Sequence, residues 1–175
     1  MCPPDEIYLI DPQTRRVHRL TYDLPGVERW PTISPDGRFL AWVRGGDRRS
    51  RGPSPDLTEI YRCDLRSRAR SWSCRNPRKV IGPVFENAIT WTADSRAILY
   101  SGPVNADSDA DIYEVNMRSR RTTNLTEQAV VDGTLVQNSQ PTVSPNGRYF
   151  VYSRAAAPAA PACTAATSTA ATRSS

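Results

Sequence analysis

The chain has 175 residues, a formal net charge of +5 at pH 7, 15 prolines and 9 glycines. This length accommodates one ordinary domain, and the proline and glycine content is typical of a turn-rich all-β chain. No apolar stretch approaches the roughly 20 residues that cross a bilayer as a helix, so the sequence predicts no membrane span.

The chain begins almost directly inside a strand pattern. Residues 1–6 have neither the basic start nor the apolar segment of a signal peptide, and we expect a fragment or a late-starting reading frame. The first pattern, Glu6-Ile-Tyr-Leu-Ile-Asp11, returns as Glu59-Ile-Tyr-Arg-Cys-Asp64 and as Asp111-Ile-Tyr-Glu-Val-Asn116. Each copy predicts one strand, and a further strand is expected near residues 17–21 and 122–126.

A longer pattern recurs in step with the first. Its copies are Pro31-Thr-Ile-Ser-Pro-Asp-Gly-Arg-Phe-Leu-Ala-Trp42, Ile89-Thr-Trp-Thr-Ala-Asp-Ser-Arg-Ala-Ile-Leu-Tyr100 and Pro141-Thr-Val-Ser-Pro-Asn-Gly-Arg-Tyr-Phe-Val-Tyr152. Each copy predicts a strand, a tight turn and a short apolar strand. A continuous apolar run of this kind favours a strand that is covered on both faces. Repetition at this period predicts stacked structural units.

The predicted turns share one chemistry. Proline pre-sets the first central φ, an acidic residue or asparagine follows, and glycine takes a positive φ. The turn residues are Pro35, Asp36, Gly37, Asp94, Ser95, Pro145, Asn146 and Gly147. The middle copy lacks both proline and glycine, and a positive φ at Ser95 would cost on the order of 1 kcal/mol. We therefore expect the middle hairpin to be the least strongly specified.

Four short antiparallel strands in each unit of this size predict an all-β fold built from β-propeller blades. A β-sandwich would not require a repeated sequence, and a parallel solenoid would need shorter units without hairpin turns. The strand count predicts an incomplete ring over residues 1–154, with two full blades and two half-blades. Blade faces exposed at the two ends would favour self-association, including two chains completing one ring.

The last segment, residues 155–175, is rich in alanine, threonine, serine and proline. It has too little apolar surface to offset the entropy of ordering the chain. We predict a disordered tail.

No catalytic or cofactor-binding residue is predicted. His18 is the only histidine, so any mechanism with a histidine base must use it, and it lies on a predicted outer strand. The sequence contains no Gly-x-Ser-x-Gly elbow and no glycine-rich phosphate loop.

Alternating carboxylates precede the third Ile-Tyr pattern. Asp107, Asp109 and Asp111 could line a Ca²⁺ site, or they could form a solvated turn. The glycine and the distal glutamate of an EF-hand loop are missing, which favours the turn.

Two of the four cysteines flank a predicted hairpin. If the turn centres on Arg68 and Ala69, Cys63 and Cys74 face each other across the strands. A disulfide in an oxidising compartment and a pair of free thiols remain equal alternatives.

The basic charge is almost entirely arginine, with Lys79 as the only lysine. A nucleic-acid surface could include Arg48, Arg49, Arg51, Arg66, Arg68, Arg70 and Arg75. Because these residues lie in loops and hairpins with few aromatic neighbours, we favour solvated loops and predict no nucleic-acid partner.

Taken together, the Ser-Pro-Asp/Asn-Gly-Arg turn, the acidic-Ile-Tyr pattern and the Leu-Thr pairs Leu20-Thr21 and Leu125-Thr126 resemble the WD-like propeller repeat of the TolB family. The resemblance covers residues 6–153, and the same repeat occurs in the propellers of prolyl-oligopeptidase-type peptidases. Resemblance to TolB implies a non-enzymatic scaffold that binds a protein partner in the periplasm, within the bacterial Tol–Pal envelope system. The alternative is a propeller fragment of a peptidase that lacks its hydrolase domain.

Overall fold

The computed structural model describes residues 6–22, 26–45, 57–69, 71–85, 87–103, 110–127 and 134–158. Every regular element within these ranges is a β-strand, so the all-β prediction is confirmed. The strands are β1 Tyr8–Ile10, β2 Val17–Arg19, β3 Val27–Ile33, β4 Phe39–Gly45, β5 Leu57–Arg68, β6 Ser71–Phe85, β7 Thr90–Trp91, β8 Ala97–Pro103, β9 Ala110–Asn116, β10 Thr122–Asn124, β11 Thr134–Val143 and β12 Phe150–Pro158. Over the described ranges, no helix is long and apolar enough to cross a membrane.

The strands pair in the order of the sequence repeat. β3, β4, β5 and β6 form one antiparallel sheet, here called sheet A. β7, β8, β9 and β10 form a second antiparallel set, sheet B. The hairpin β1–β2 forms a separate two-stranded sheet. The hairpin β11–β12 joins sheet B through a single parallel pair, Gln137 with Ala110.

The strand before the turn differs between the copies. β3 and β11 both contain a register shift, and in both a non-glycine residue has positive φ there, Trp30 at 54° and Gln140 at 55°. Such a bulge re-aims a strand and lets pairing resume beyond it. β7 has only two residues, and the expectation of a weakly specified middle hairpin stays a prediction.

The core is built on both sides of β4. Leu40 and Trp42 enter one apolar cluster, whereas Ala41 and Val43 enter the other, because successive side chains of a strand point to opposite faces. One cluster joins sheets A and B and comprises Ala41, Val43, Ile60, Val80, Val84, Ile89, Trp91, Ile98, Tyr100 and Val115. The other joins β1–β2 to sheet A and comprises Ile7, Leu20, Leu40, Trp42, Cys63 and Leu65. Each large side chain buried in this way contributes about 1.5–3 kcal/mol.

Apolar side chains remain uncovered on the two terminal hairpins. Tyr8 and Val17 on β1–β2 are 58% and 59% exposed, and Tyr149 and Val151 beside β11–β12 are 64% and 62% exposed. The repeat equivalents of Val151, which are Ala41 in sheet A and Leu99 in sheet B, are buried, and those of Tyr8, which are Tyr61 and Tyr113, are half-buried. Each terminal hairpin therefore exposes apolar side chains at positions that are more buried in sheets A and B.

The last strand passes the predicted start of the tail. β12 continues to Pro158, with Ala155 opposite Gln137 and Pro158 opposite Thr134. Backbone pairing to β11 does not require apolar side chains, so the strand extends into the alanine-rich segment. Residues 159–175 lie outside the described residues.

Candidate functional site

The three predicted turns have the same backbone conformation. The φ angles are 69° at Gly37, 62° at Ser95 and 67° at Gly147. In each turn, a hydroxyl two residues before Asp36, Asp94 or Asn146 donates to that side chain over 2.6–2.8 Å. The middle turn thus adopts the positive φ without glycine.

The turns also contact one another. The backbone N–H of Asp36 donates to the Ser95 hydroxyl at 3.0 Å. A Cβ added at Gly147 would lie 3.0 Å from the Cβ of Ala93. The first and second turns, and the second and third, are therefore in direct contact, and clefts form between neighbouring sheets beside them.

Two clefts of similar size lie between neighbouring repeat units. The first, about 670 Å³, lies between sheets A and B, and we call it the arginine cleft because Arg62, Arg78, Arg96 and Arg118 line it. The second, about 680 Å³, lies between sheet B and the hairpin β11–β12, and we call it the sister cleft. Glu114 in the sister cleft occupies the repeat position of Arg62.

An aromatic side chain forms one wall of the arginine cleft. Phe39 stacks on Trp91 with ring centroids 6.0 Å apart and planes inclined by 22°. The Arg62 guanidinium carbon lies 4.4 Å from the centre of the Phe39 ring, and that of Arg38 lies 5.7 Å from it, within the range of cation–π attraction. Arg120 ties the two sheets together beside this wall, since its Nη1 donates to the carbonyl oxygens of Lys79 and Val80.

The charges in this cleft are poorly balanced. Among the described residues, none of Arg62, Arg78 and Arg118 has a carboxylate within ion-pair distance. Arg96 has only Asp94, with the two charged atoms 3.9 Å apart. The cleft is therefore suited to hold an anionic group.

Asp111 has a structural role in the described residues. Its carboxylate accepts hydrogen bonds from Asn124 at 2.7 Å, Thr126 at 2.9 Å and Asn138 at 3.0 Å. It is buried and satisfied by these amide and hydroxyl donors, an arrangement that needs no metal. Asp107 and Asp109 lie outside the described residues, and within those residues no group of three His, Cys, Asp or Glu side chains could hold a metal ion.

The group formed by Asp111, Thr126 and Asn138 is here called a junction. The equivalent junction near the start of the chain, formed by Glu6, Thr21 and Glu28, has different hydrogen bonds. The Thr126 hydroxyl accepts a hydrogen bond from the Ile112 N–H, and the Thr21 hydroxyl accepts one from the Ile7 N–H, both over 2.9 Å. By the repeat, Glu28 stands where the other junction has Asn138. Glu28 is 6% exposed, and within the described residues neither of its carboxylate oxygens has a partner that meets hydrogen-bond geometry. Burial raises the pKa of Glu28, and nearby Glu6 adds to this, while Thr21 and Arg44 oppose it.

The remaining predicted residues are placed as follows. Cys63 and Cys74 form a disulfide with Cα atoms 5.5 Å apart, across a hairpin whose turn contains Ala69. His18 is half-buried on β2 opposite Leu9. In the part of the chain that is described, no serine or cysteine side chain hydrogen-bonds to His18, so it forms no catalytic pair there.

Sequence reasoning did not identify the arginine cleft. The available signal was the residue after Ile-Tyr, which is Leu9, Arg62 and Glu114 in the three copies. The contribution of Arg96 and Arg118 comes from a neighbouring sheet, and a linear pattern does not reveal that contact.

Comparison with known proteins places the chain near peptidases. It is 22% identical over 125 residues to dipeptidyl-peptidase 5 of Porphyromonas gingivalis, which covers 70% of this chain and 16% of that protein. It is similar to the solved structure of a puromycin-hydrolyzing peptidase of Mycobacterium tuberculosis, with a TM-score of 0.52 and 15% identity over 85% of this chain and 25% of that one. The chain thus spans a minor part of each relative. No family model matches it.

These matches correct the functional expectation. The prediction of a non-enzymatic TolB-like scaffold is wrong, and so is the prediction that the chain is not an enzyme, because both relatives are named as peptidases. They favour the peptidase alternative, and they leave the TolB and Tol–Pal part of the resemblance unsupported.

Proposed function

We propose that this chain is a segment of the β-propeller of a prolyl-oligopeptidase-type serine peptidase. Sheets A and B are two full blades, and the hairpins β1–β2 and β11–β12 are halves of two further blades. The observation that carries the proposal is the similarity to two named peptidases over only a minor part of each.

The packing of the sheets supports the blade assignment. Each sheet is a four-stranded antiparallel meander, and β4 is buried on both faces by its neighbours, as expected for stacked blades. The uncovered apolar side chains of the terminal hairpins, such as Tyr8 and Val151, are the surfaces on which adjoining blade strands would pack.

In this proposal the segment shapes access to a catalytic centre and does not perform the chemistry. The sequence has one histidine and no Gly-x-Ser-x-Gly elbow, so the nucleophile and its base come from a hydrolase domain outside these residues. This segment would contribute a rigid wall. Apolar clusters, contacts between turns and the hydrogen bonds of Arg120 hold neighbouring blades in fixed positions.

The disulfide supports a location outside the cytoplasm. Cys63 is 1% exposed and bonded to Cys74, and structural disulfides persist in oxidising compartments. We therefore propose the periplasm or the cell exterior for the peptidase.

Hydrolysis of a dipeptidyl-p-nitroanilide by the full-length gene product tests the proposal. We expect turnover that disappears when the serine of its Gly-x-Ser-x-Gly elbow is changed to alanine, while the Arg148→Gln variant in this segment retains it. A full-length product that contains no hydrolase domain and cleaves no peptide substrate would refute the proposal.

A further inference from the structure

The arginine cleft has more positive charge than the fold requires. Arg62 and Arg78 are direct cross-strand partners on β5 and β6, and like charges placed directly opposite each other destabilise a sheet. The sister cleft has almost the same volume but has Glu114 in place of Arg62. The repeat can therefore be built without an arginine at this position.

Neighbouring carboxylates do not neutralise this charge. In the described ranges Arg62, Arg78 and Arg118 have no acidic partner. The side chain of Arg96 is 82% exposed and only 3.9 Å from the Asp94 carboxylate, and an exposed ion pair of this kind has little strength. An added anion would meet three guanidinium groups that have no acidic partner in the described ranges, and a fourth, that of Arg96, which is only weakly paired.

We infer that the arginine cleft binds an acidic peptide segment through its side-chain carboxylates. Planar guanidinium groups pair with carboxylates through two parallel hydrogen bonds, which gives both strength and orientation. The volume of about 670 Å³ is typical of a site that holds a ligand of many atoms, whereas a single inorganic anion would fill a small part of it. Phe39 and Met117 supply apolar walls for the methylene groups of such a peptide.

Two peptides measure this binding on the intact chain. One is a fluorescein-labelled peptide of alternating glutamate and glycine, and the other has glutamine in place of every glutamate. We expect the fluorescence anisotropy of the glutamate peptide to rise with protein at low salt and to fall as salt is added, because added ions screen exposed charges. The glutamine peptide should bind at least tenfold more weakly.

Matched variants locate the site. Arg62→Gln/Arg78→Gln should weaken binding of the glutamate peptide by about tenfold or more, as expected for the loss of charge-assisted hydrogen bonds. Arg66→Gln/Arg68→Gln removes the same charge from exposed positions farther along β5 and should change binding by less than about twofold. Arg118 is exposed, so Arg118→Gln gives a test that does not depend on folding and should also weaken binding severalfold.

Three results would overturn the inference. Equal binding of the two peptides would show that carboxylates are not recognised. Equal weakening by the two double variants would show a diffuse effect of net charge. Tighter binding of a single-stranded oligonucleotide of the same charge, lost in Arg62→Gln/Arg78→Gln, would assign the cleft to nucleic acid.

Discussion

Replacing Glu28 with glutamine should stabilise the protein at neutral pH. Glu28 is a buried carboxyl group whose two oxygens lack hydrogen-bond partners in the described ranges, and the acidic side chain of Glu6 lies nearby, while Thr21 and Arg44 only partly offset the cost of burial. At the equivalent junction, the amide of Asn138 donates to Asp111 at 3.0 Å. A glutamine at position 28 can donate to Glu6 in the same way. A hydrogen bond to a charged group and the removal of a buried charge that is only partly compensated together predict a gain of about 1–2 kcal/mol.

The gain should depend on pH in a defined direction. Burial, helped by Glu6, raises the folded-state pKa of Glu28 above its ordinary value of 4.5. The folded wild type therefore holds this proton more tightly than the unfolded chain does, and the stability that this provides is lost as the pH rises through the raised pKa. Because glutamine does not titrate, the difference in the free energy of unfolding between Glu28→Gln and wild type should grow above about pH 4.5. It should become constant once the pH exceeds the raised pKa of Glu28.

Urea unfolding at a series of pH values from 4 to 8 measures this difference. Glu127→Gln is the matched control, since Glu127 is exposed, and it should change the free energy of unfolding by less than about 0.5 kcal/mol at every pH. Destabilisation by Glu28→Gln at pH 7, or a difference that does not vary with pH, would refute the reasoning.

Three further predictions concern the turns and the disulfide. Gly147→Ala should cost more than Gly37→Ala in urea unfolding, because both residues have positive φ but an added Cβ would lie 3.0 Å from the Cβ of Ala93 at Gly147 and would meet nothing within 4 Å at Gly37; equal costs near 1 kcal/mol would contradict this. Ser95→Ala should cost about 1 kcal/mol through loss of the acceptor for the Asp36 N–H, whereas Ser95→Gly also relieves about 1 kcal/mol of strain and should be nearly neutral; equal effects of the two would argue against the strain, and a Ser95→Ala variant as stable as wild type would argue against the bond. Reduction of the Cys63–Cys74 disulfide, which links residues 11 positions apart, should lower the free energy of unfolding by about 3 kcal/mol, and unchanged calorimetric melting with a reductant would refute that estimate.

Local chemistry explains why much of the fold could be predicted. Turn residues such as Gly37 fix the backbone where they stand, and the continuous apolar run of β4 indicated a strand covered on both faces. The length of β6 was not predictable in the same way. Its pairing with β5 continues through polar residues from Ser71 onward, where backbone hydrogen bonds are made regardless of side-chain pattern.

The candidate site was less predictable because it depends on contacts between repeats. Arg62 and Arg78 are sixteen positions apart in one hairpin, but Arg96 and Arg118 reach the same cleft from the next sheet. Ser95 shows the same limit. Its positive φ could be anticipated from the repeat, but its hydrogen bond to the Asp36 N–H depends on how two turns meet.

Covalent labelling of the full-length gene product with a fluorophosphonate probe tests the peptidase assignment most directly. We predict that the protein containing this segment is labelled, and that peptide mass analysis places the label on the serine of a Gly-x-Ser-x-Gly elbow outside residues 1–175. A folded full-length protein that takes up no label, and whose sequence contains no such elbow, would contradict the assignment.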